Sequence, residues 1–204
     1  MTEAQALFRT LRQSADRDVV AAIERLVQEA PDRELNRLNA LAFAAAHGLG
    51  EDRVIAAFLH AARLGMFELS WNVLCPACGG VLDAGASLKT VHREEYACAL
   101  CAAGYEPTLD EMVEVTFTVT PRVRRIVAHA PDDLQAIEFY RQMFWGSGID
   151  LPDDAFEKAL ADIALELIEL PPGEKIVRSL TLPAEFVIVF DPVTHTAKFI
   201  DVKG

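Results

Sequence analysis

Apolar residues recur at helical intervals through the first third of the chain. Leu7, Leu11, Val19, Ile23, Leu26 and Val27 keep the spacing of one helix face over residues 1–30, with a break expected near Asp16. Pro31 and Asp32 mark a boundary and a new start. The helix expected from there has Leu35, Leu38, Leu41, Ala42 and Ala45 on its face and closes at His47-Gly48, with glycine in the usual capping place. A third helix is expected from Gly50-Glu51-Asp52 to Gly65, carrying Val54, Ile55, Phe58, Leu59 and Ala62.

The period then changes to two. Residues 66–74 read as a strand, and the clearest strand follows at 113–120. There Val113, Val115, Phe117 and Val119 alternate with Glu114, Thr116, Thr118 and Thr120, which predicts one buried face and one wet face. Helical spacing returns over 132–145 with Leu134, Ile137, Tyr140, Met143 and Phe144. It recurs from Asp153-Asp154 with Phe156, Leu160, Ile163 and Leu167, until Pro171-Pro172-Gly173 stops it. The tail predicts strands at 175–182, 185–190 and 197–202, the last two joined by a loop at 191–195 that contains His195.

These patterns predict an α+β protein in three parts. Residues 1–70 form a helical module resembling a winged helix-turn-helix, since two helices joined by a short glycine-containing turn lead into a strand. Residues 71–111 form an inserted four-cysteine zinc ribbon. Residues 112–204 form a mixed domain with antiparallel strands and two helices. A strand ending abruptly at Lys203-Gly204 points to a chain that continues in its full-length form.

Charge narrows the functions. With 19 basic and 31 acidic residues the formal net charge is -12, which disfavours phosphate-tracking surfaces. The main basic cluster, Arg122, Arg124 and Arg125, reads as a solvated strand end, and the expected third helix offers few groups for base or phosphate contacts. No apolar run is long enough to span a bilayer, and residues 1–11 lack a secretory pattern, so a cytoplasmic location away from membranes is expected.

The four cysteines carry the chemistry. Cys75 and Cys78 form one C-x2-C pair, and Cys98 and Cys101 form a second after an interval of 19 residues. That spacing suits a zinc ribbon, in which each tight turn aims both sulfurs at one ion. Pro76 fixes φ inside the first turn and Gly79 follows its second ligand, while the second turn has its glycine at Gly104. Zinc leads, one structural ion per chain. A single iron held by the same ligands comes next, and redox or disulfide pairing comes last. His92 lies between the pairs and reads as a surface hairpin histidine, and His195 as a loop residue.

Nothing in the sequence assembles a catalytic site. There is no phosphate-binding glycine loop, nucleophile elbow or HExxH, and the acidic pairs Asp132-Asp133 and Asp153-Asp154 fit helix starts. A non-enzymatic role is expected.

The order of several segments resembles the uncharacterised module that precedes class III adenylate/guanylate cyclase catalytic domains in bacteria. They are residues 38–71 (LNALAFAAAHGLGEDRVIAAFLHAARLGMFELSW), 74–80 (LCPACGG), 144–152 (FWGSGIDLP), 170–175 (LPPGEK) and 183–204 (PAEFVIVFDPVTHTAKFIDVKG). The resemblance implies a downstream cyclase domain as partner in the full-length protein. Because those domains work as dimers, it also makes self-association a reasonable expectation. It carries over no catalytic residue, only the four cysteines as metal ligands. The expected function is a non-catalytic accessory or regulatory module of a cyclase-like protein, stiffened by zinc. Two alternatives stand beside it: a zinc-ribbon, winged-helix nucleic-acid-binding factor, and a small-molecule sensor with Tyr140, Phe144 and Trp145 lining its pocket.

Overall fold

The computed structural model describes residues 2–90, 96–98, 101, 103–106, 108–134, 136–146, 158, 162, 165–166, 168, 170–171, 173–179, 181, 186–191 and 196–201. The chain divides into two compact units, Met1–Ile149 and Asp150–Gly204. The boundaries expected at 70/71 and 111/112 both lie inside the first unit.

The first unit begins with α1 (Glu3–Ser14) and α2 (Arg17–Glu29), broken at Asp16 as the pattern predicts. Thr2 and Gln5 close a reciprocal capping box on α1. Asp16 caps α2 by accepting from the backbone N–H groups of Asp18 and Val19 at 3.0 and 3.2 Å. The Val19 N–H holds the Asp16 carboxyl below its ordinary value of 3.8, and Arg53 adds to this from 3.1 Å. A depressed carboxyl stabilises the fold above 3.8, and the benefit is lost as pH falls through the lower folded value. Asp16→Ala is therefore expected to lower the melting temperature at neutral pH. Thermal melts across pH should show the gap to the parent chain closing as acid protonates Asp16.

The helix expected to start at Asp32 is divided. A 3-10 turn spans Asp32–Leu35, a short strand β1 covers Leu38–Asn39, and α3 begins only at Ala40 and ends at His47. The cause is local. Asn39 accepts from Leu41 N and Ala42 N at 2.8 and 3.0 Å, making it the start of α3, while Leu38 pairs with Phe117. Gly48, at φ 64, closes α3, and α4 (Glu51–Arg63) follows.

Three longer strands complete the sheet: β2 (Phe67–Leu74), β3 (Val81–Gly85) and, after two short strands, β6 (Val113–Val119). The short pair is β4 (Tyr96–Cys98) and β5 (Ala103–Tyr105), and a single turn, α5 (Leu109–Met112), leads into β6. The antiparallel order is β1-β6-β2-β3. β6 lies along β2 from Phe67↔Val119 to Val73↔Val113, which puts it with the helices rather than with the tail. The core lies between this sheet and the helices. Phe58 of α4 meets Phe43 and Phe67 edge-on at 5.5 and 5.3 Å and stacks on Phe117 at 5.0 Å.

The second face of β6 is not uniformly wet. Thr116 is fully buried, taking the Asn72 amide at 2.7 Å and facing the Ser70 hydroxyl at 2.9 Å. Beside it Glu114 accepts from Asn39 at 2.6 Å, and burial raises its pKa against the pull of Asn39 and Arg37. Arg37 is buried enough that its pKa is lowered to about 10. Its backbone N–H bonds Thr118, and its guanidinium bonds the carbonyl of Met143. Thr118 thus holds the backbone of Arg37, whose guanidinium grips the end of a later helix.

That helix was expected over 132–145. It starts later, because Pro131 opens a separate 3-10 turn, Pro131–Asp133. From α6 (Ala136–Phe139) the chain runs on as a π-helix, Tyr140–Phe144, closed by Trp145 N on Tyr140 O at 3.2 Å. The arginine cluster also differs from a solvated strand end. Arg124 donates to the carbonyls of Val27 and Ala30 at 2.9 and 2.7 Å and to Asp32 at 2.7 Å, securing the end of α2. Arg122 pairs with Glu3 at 2.7 Å.

In the second unit β7 (Phe186–Asp191) pairs antiparallel with β8 (Thr196–Asp201), as predicted. The strand expected at 175–182 is not formed at its described positions. Val177 there is 81% exposed. The apolar face expected for the helix from Asp153, at Phe156, Leu160, Ile163 and Leu167, lies outside the described residues, as does His195. Among the described residues no helix is long and apolar enough to cross a membrane.

Candidate metal centre

β2 delivers Cys75 at its end, after an irregularity in its pairing with β3 at Val73 and Leu74. The turn that follows is closed twice. Gly79 N bonds Cys75 O at 2.8 Å, and Cys75 N bonds Gly80 O at 2.7 Å. Gly79 sits at φ 68, a conformation that a side chain disfavours, as the sequence anticipates for the residue after the second ligand. The second pair comes from the β4–β5 hairpin. Cys98 ends β4, Cys101 lies in the turn, and Tyr96 pairs with Tyr105. Tyr96 also ties this hairpin to β3 by donating to Asp83 at 3.1 Å.

Folding brings all four cysteines together. Their sulfurs lie within 4.8 Å of one another, and no disulfide links them. Cys75 Sγ is 3.8 Å from Cys101 Sγ, and Cys78 Sγ is 3.7 Å from Cys98 Sγ. A tetrahedron with metal–sulfur bonds of about 2.3 Å has edges of about 3.8 Å, so the donor set fits one four-coordinate ion such as zinc. Cys75 and Cys98 are buried, while Cys78 and Cys101 are partly exposed.

The electrostatics suit a cation. Burial pushes the Cys75 thiol up, but backbone N–H groups of Cys78 and Ala77 donate to its sulfur and bring it down to about 7. Cys78 is raised, first by burial and then by the neighbouring sulfurs, and Cys101 is raised by burial in the same way. The Cys75 thiolate forms readily while the thiols of Cys78 and Cys101 resist following it, a conflict that a central cation removes. Tyr105 was not singled out from the sequence. Its hydroxyl bonds Cys75 and is pushed up to about 12, which places a donor outside the ligand sphere.

A second unforeseen neighbour is the helix end. Trp145 makes an isolated antiparallel bridge to Gly80, and the Phe144 ring lies over the same glycine. The 64-residue separation of Gly80 from Phe144 left no local sequence signal for this contact. Tyr140 and Phe144, weighed as pocket lining, are buried and pack on each other and on Trp145 at 5.3 to 5.7 Å. His92 lies outside the described residues. A family of unknown function, DUF5939, matches the chain over residues 1–204. No curated protein and no solved structure matches it.

Proposed function

Since the chain belongs to that family, which brings no activity with it, we propose from the site and the sheet that this is a non-catalytic accessory module. In this reading zinc staples a ribbon inserted into the wing of a winged-helix fold, and the module regulates a nucleotide cyclase-like protein. The carrying observation is the closed set of four sulfurs at tetrahedral separations. Four thiolates fill the coordination sphere of zinc and leave no position for a reacting water. The winged-helix reading is supported by β1 lying beside β6, with α3 and α4 between β1 and β2 and the cysteines between β2 and β6. The cyclase assignment rests on the resemblance of the segments quoted above. Elemental analysis is expected to give one zinc per chain. ATP or GTP with Mg2+ or Mn2+ is expected to yield no cyclic nucleotide; turnover by this chain would sink the proposal.

The same strand order also motivates a nucleic-acid-binding reading. The face of α4 weighs against it. Ile55 and Leu59 are exposed there at 38% and 48%, Glu51 and Asp52 open the helix, and Arg53 is engaged with Asp16. Such a face suits a protein surface better than phosphate. Filter binding at low salt is expected to show no retention of DNA or RNA. Retention that fell steeply with added salt would restore the nucleic-acid reading.

A further inference from the structure

Phe144 and Trp145 sit at the C-terminal end of a helix, five and four residues before the first unit ends at Ile149. Two sets of contacts hold that end. From one side, Arg33 bonds Gly146 O at 2.9 Å, Asn36 bonds Gln142 O, and Arg37 bonds Met143 O. From the other side the contact is apolar and belongs to the cysteine turn. Phe144 is fully buried against Gly80, where an added Cβ would come within 2.1 Å of the ring, and Trp145 bridges to the same residue. Gly80 is in turn fixed by its carbonyl bond to Cys75 N, two residues beyond the ligand Cys78.

We propose that metal occupancy of the four-cysteine site controls the order of residues 136–146 through the Gly80 seat. This rests on the metal-centre reading and adds a consequence to it. With the ion bound, the turn at 75–80 is rigid and Phe144 and Trp145 have a fixed surface. Without it the turn loosens and the seat is lost, while the Arg33, Asn36 and Arg37 contacts remain. Coupling between two sites is reciprocal, so loosening the helix must weaken the metal by the same factor.

The chain with Trp71→Phe retains Trp145 as its one tryptophan. Addition of EDTA to the zinc-loaded form is expected to red-shift Trp145 emission and speed amide exchange in 136–146, with α2 as an unchanged control. In the converse direction, Phe144→Ala should lower zinc affinity about 5- to 150-fold in competition with a chromophoric chelator. Gly80→Ala, which forces the ring aside, should do likewise and provides the second variant if Phe144→Ala does not fold. Loss of protection at 75–80 on chelation, with 136–146 and Trp145 unmoved, would overturn the coupling and leave the metal centre standing. Unchanged zinc affinity in a folded variant would do the same. Purified chain that binds no metal overturns the metal centre itself, and the coupling with it.

Discussion

Cys98→Ser is expected to abolish metal binding and unfold the ribbon, the largest single-residue effect in the protein. Cys98 is 1% exposed and lies 3.7 Å from Cys78 across the site, so a shorter, harder oxygen in its place neither reaches the ion nor matches its preference. Structural zinc contributes about 10 to 16 kcal/mol of apparent binding energy in small zinc-dependent folds, comparable with the whole stability of a domain. Here the loss should spare the helical core. β2 and β6 pair through residues 67–73 and 113–119 without help from the ion, and the aromatic core around Phe58 lies against that pairing. Elemental analysis should fall from one zinc to none. Amides of Tyr96–Cys98 and Ala103–Tyr105 should exchange freely while α1 to α4 remain protected. EDTA on the parent chain should reach the same endpoint. Affinity should also fall as pH drops, because the raised thiols of Cys78 and Cys101 must release protons to bind. A Cys98→Ser chain that kept one metal and an unchanged melt would remove the site.

The cysteine cluster was legible because its determinants are short-range: two turns, two fixed spacings, and glycine where φ must be positive. The strand at Val113–Val119 was legible for the same reason, since alternation is a property of neighbours. Which face of that strand would be wet was not. Thr116 is polar and fully buried because Asn72 and Ser70, from a strand more than 40 residues earlier, satisfy it. The helix expected from Asp32 failed similarly. Leu38 fits a helical face as well as a strand, and only its pairing with Phe117 decides between them. The seat of Phe144 on Gly80 and the grip of Arg37 on Met143 are long-range contacts of the same kind. Periodicity identified most of the helices and the long strands, and side-chain chemistry on distant elements determined their ends and their covered faces.

Phe58→Ala should bring the second-largest effect, and it tests whether the helical part folds independently of the ribbon. Phe58 is fully buried on α4, between Phe43, Phe67 and Phe117, so truncation removes packing on α3, β2 and β6 together. Phenylalanine-to-alanine changes at such sites cost about 3 to 5 kcal/mol, a large share of the roughly 5 to 15 kcal/mol that keeps a domain folded. Leu59, the next residue, is 48% exposed, and its change to alanine should move stability by no more than about 0.5 kcal/mol. Urea unfolding should therefore show a lower midpoint for Phe58→Ala, with an unchanged slope, and almost none for Leu59→Ala. If core and ribbon are independent, Phe58→Ala should cost the same with zinc bound as after chelation, within about 0.5 kcal/mol. A cost that depended on the metal would mean that β2, which carries Phe67 at one end and leads into Cys75 at the other, transmits strain along its length. The helical part and the ribbon would then unfold as one body.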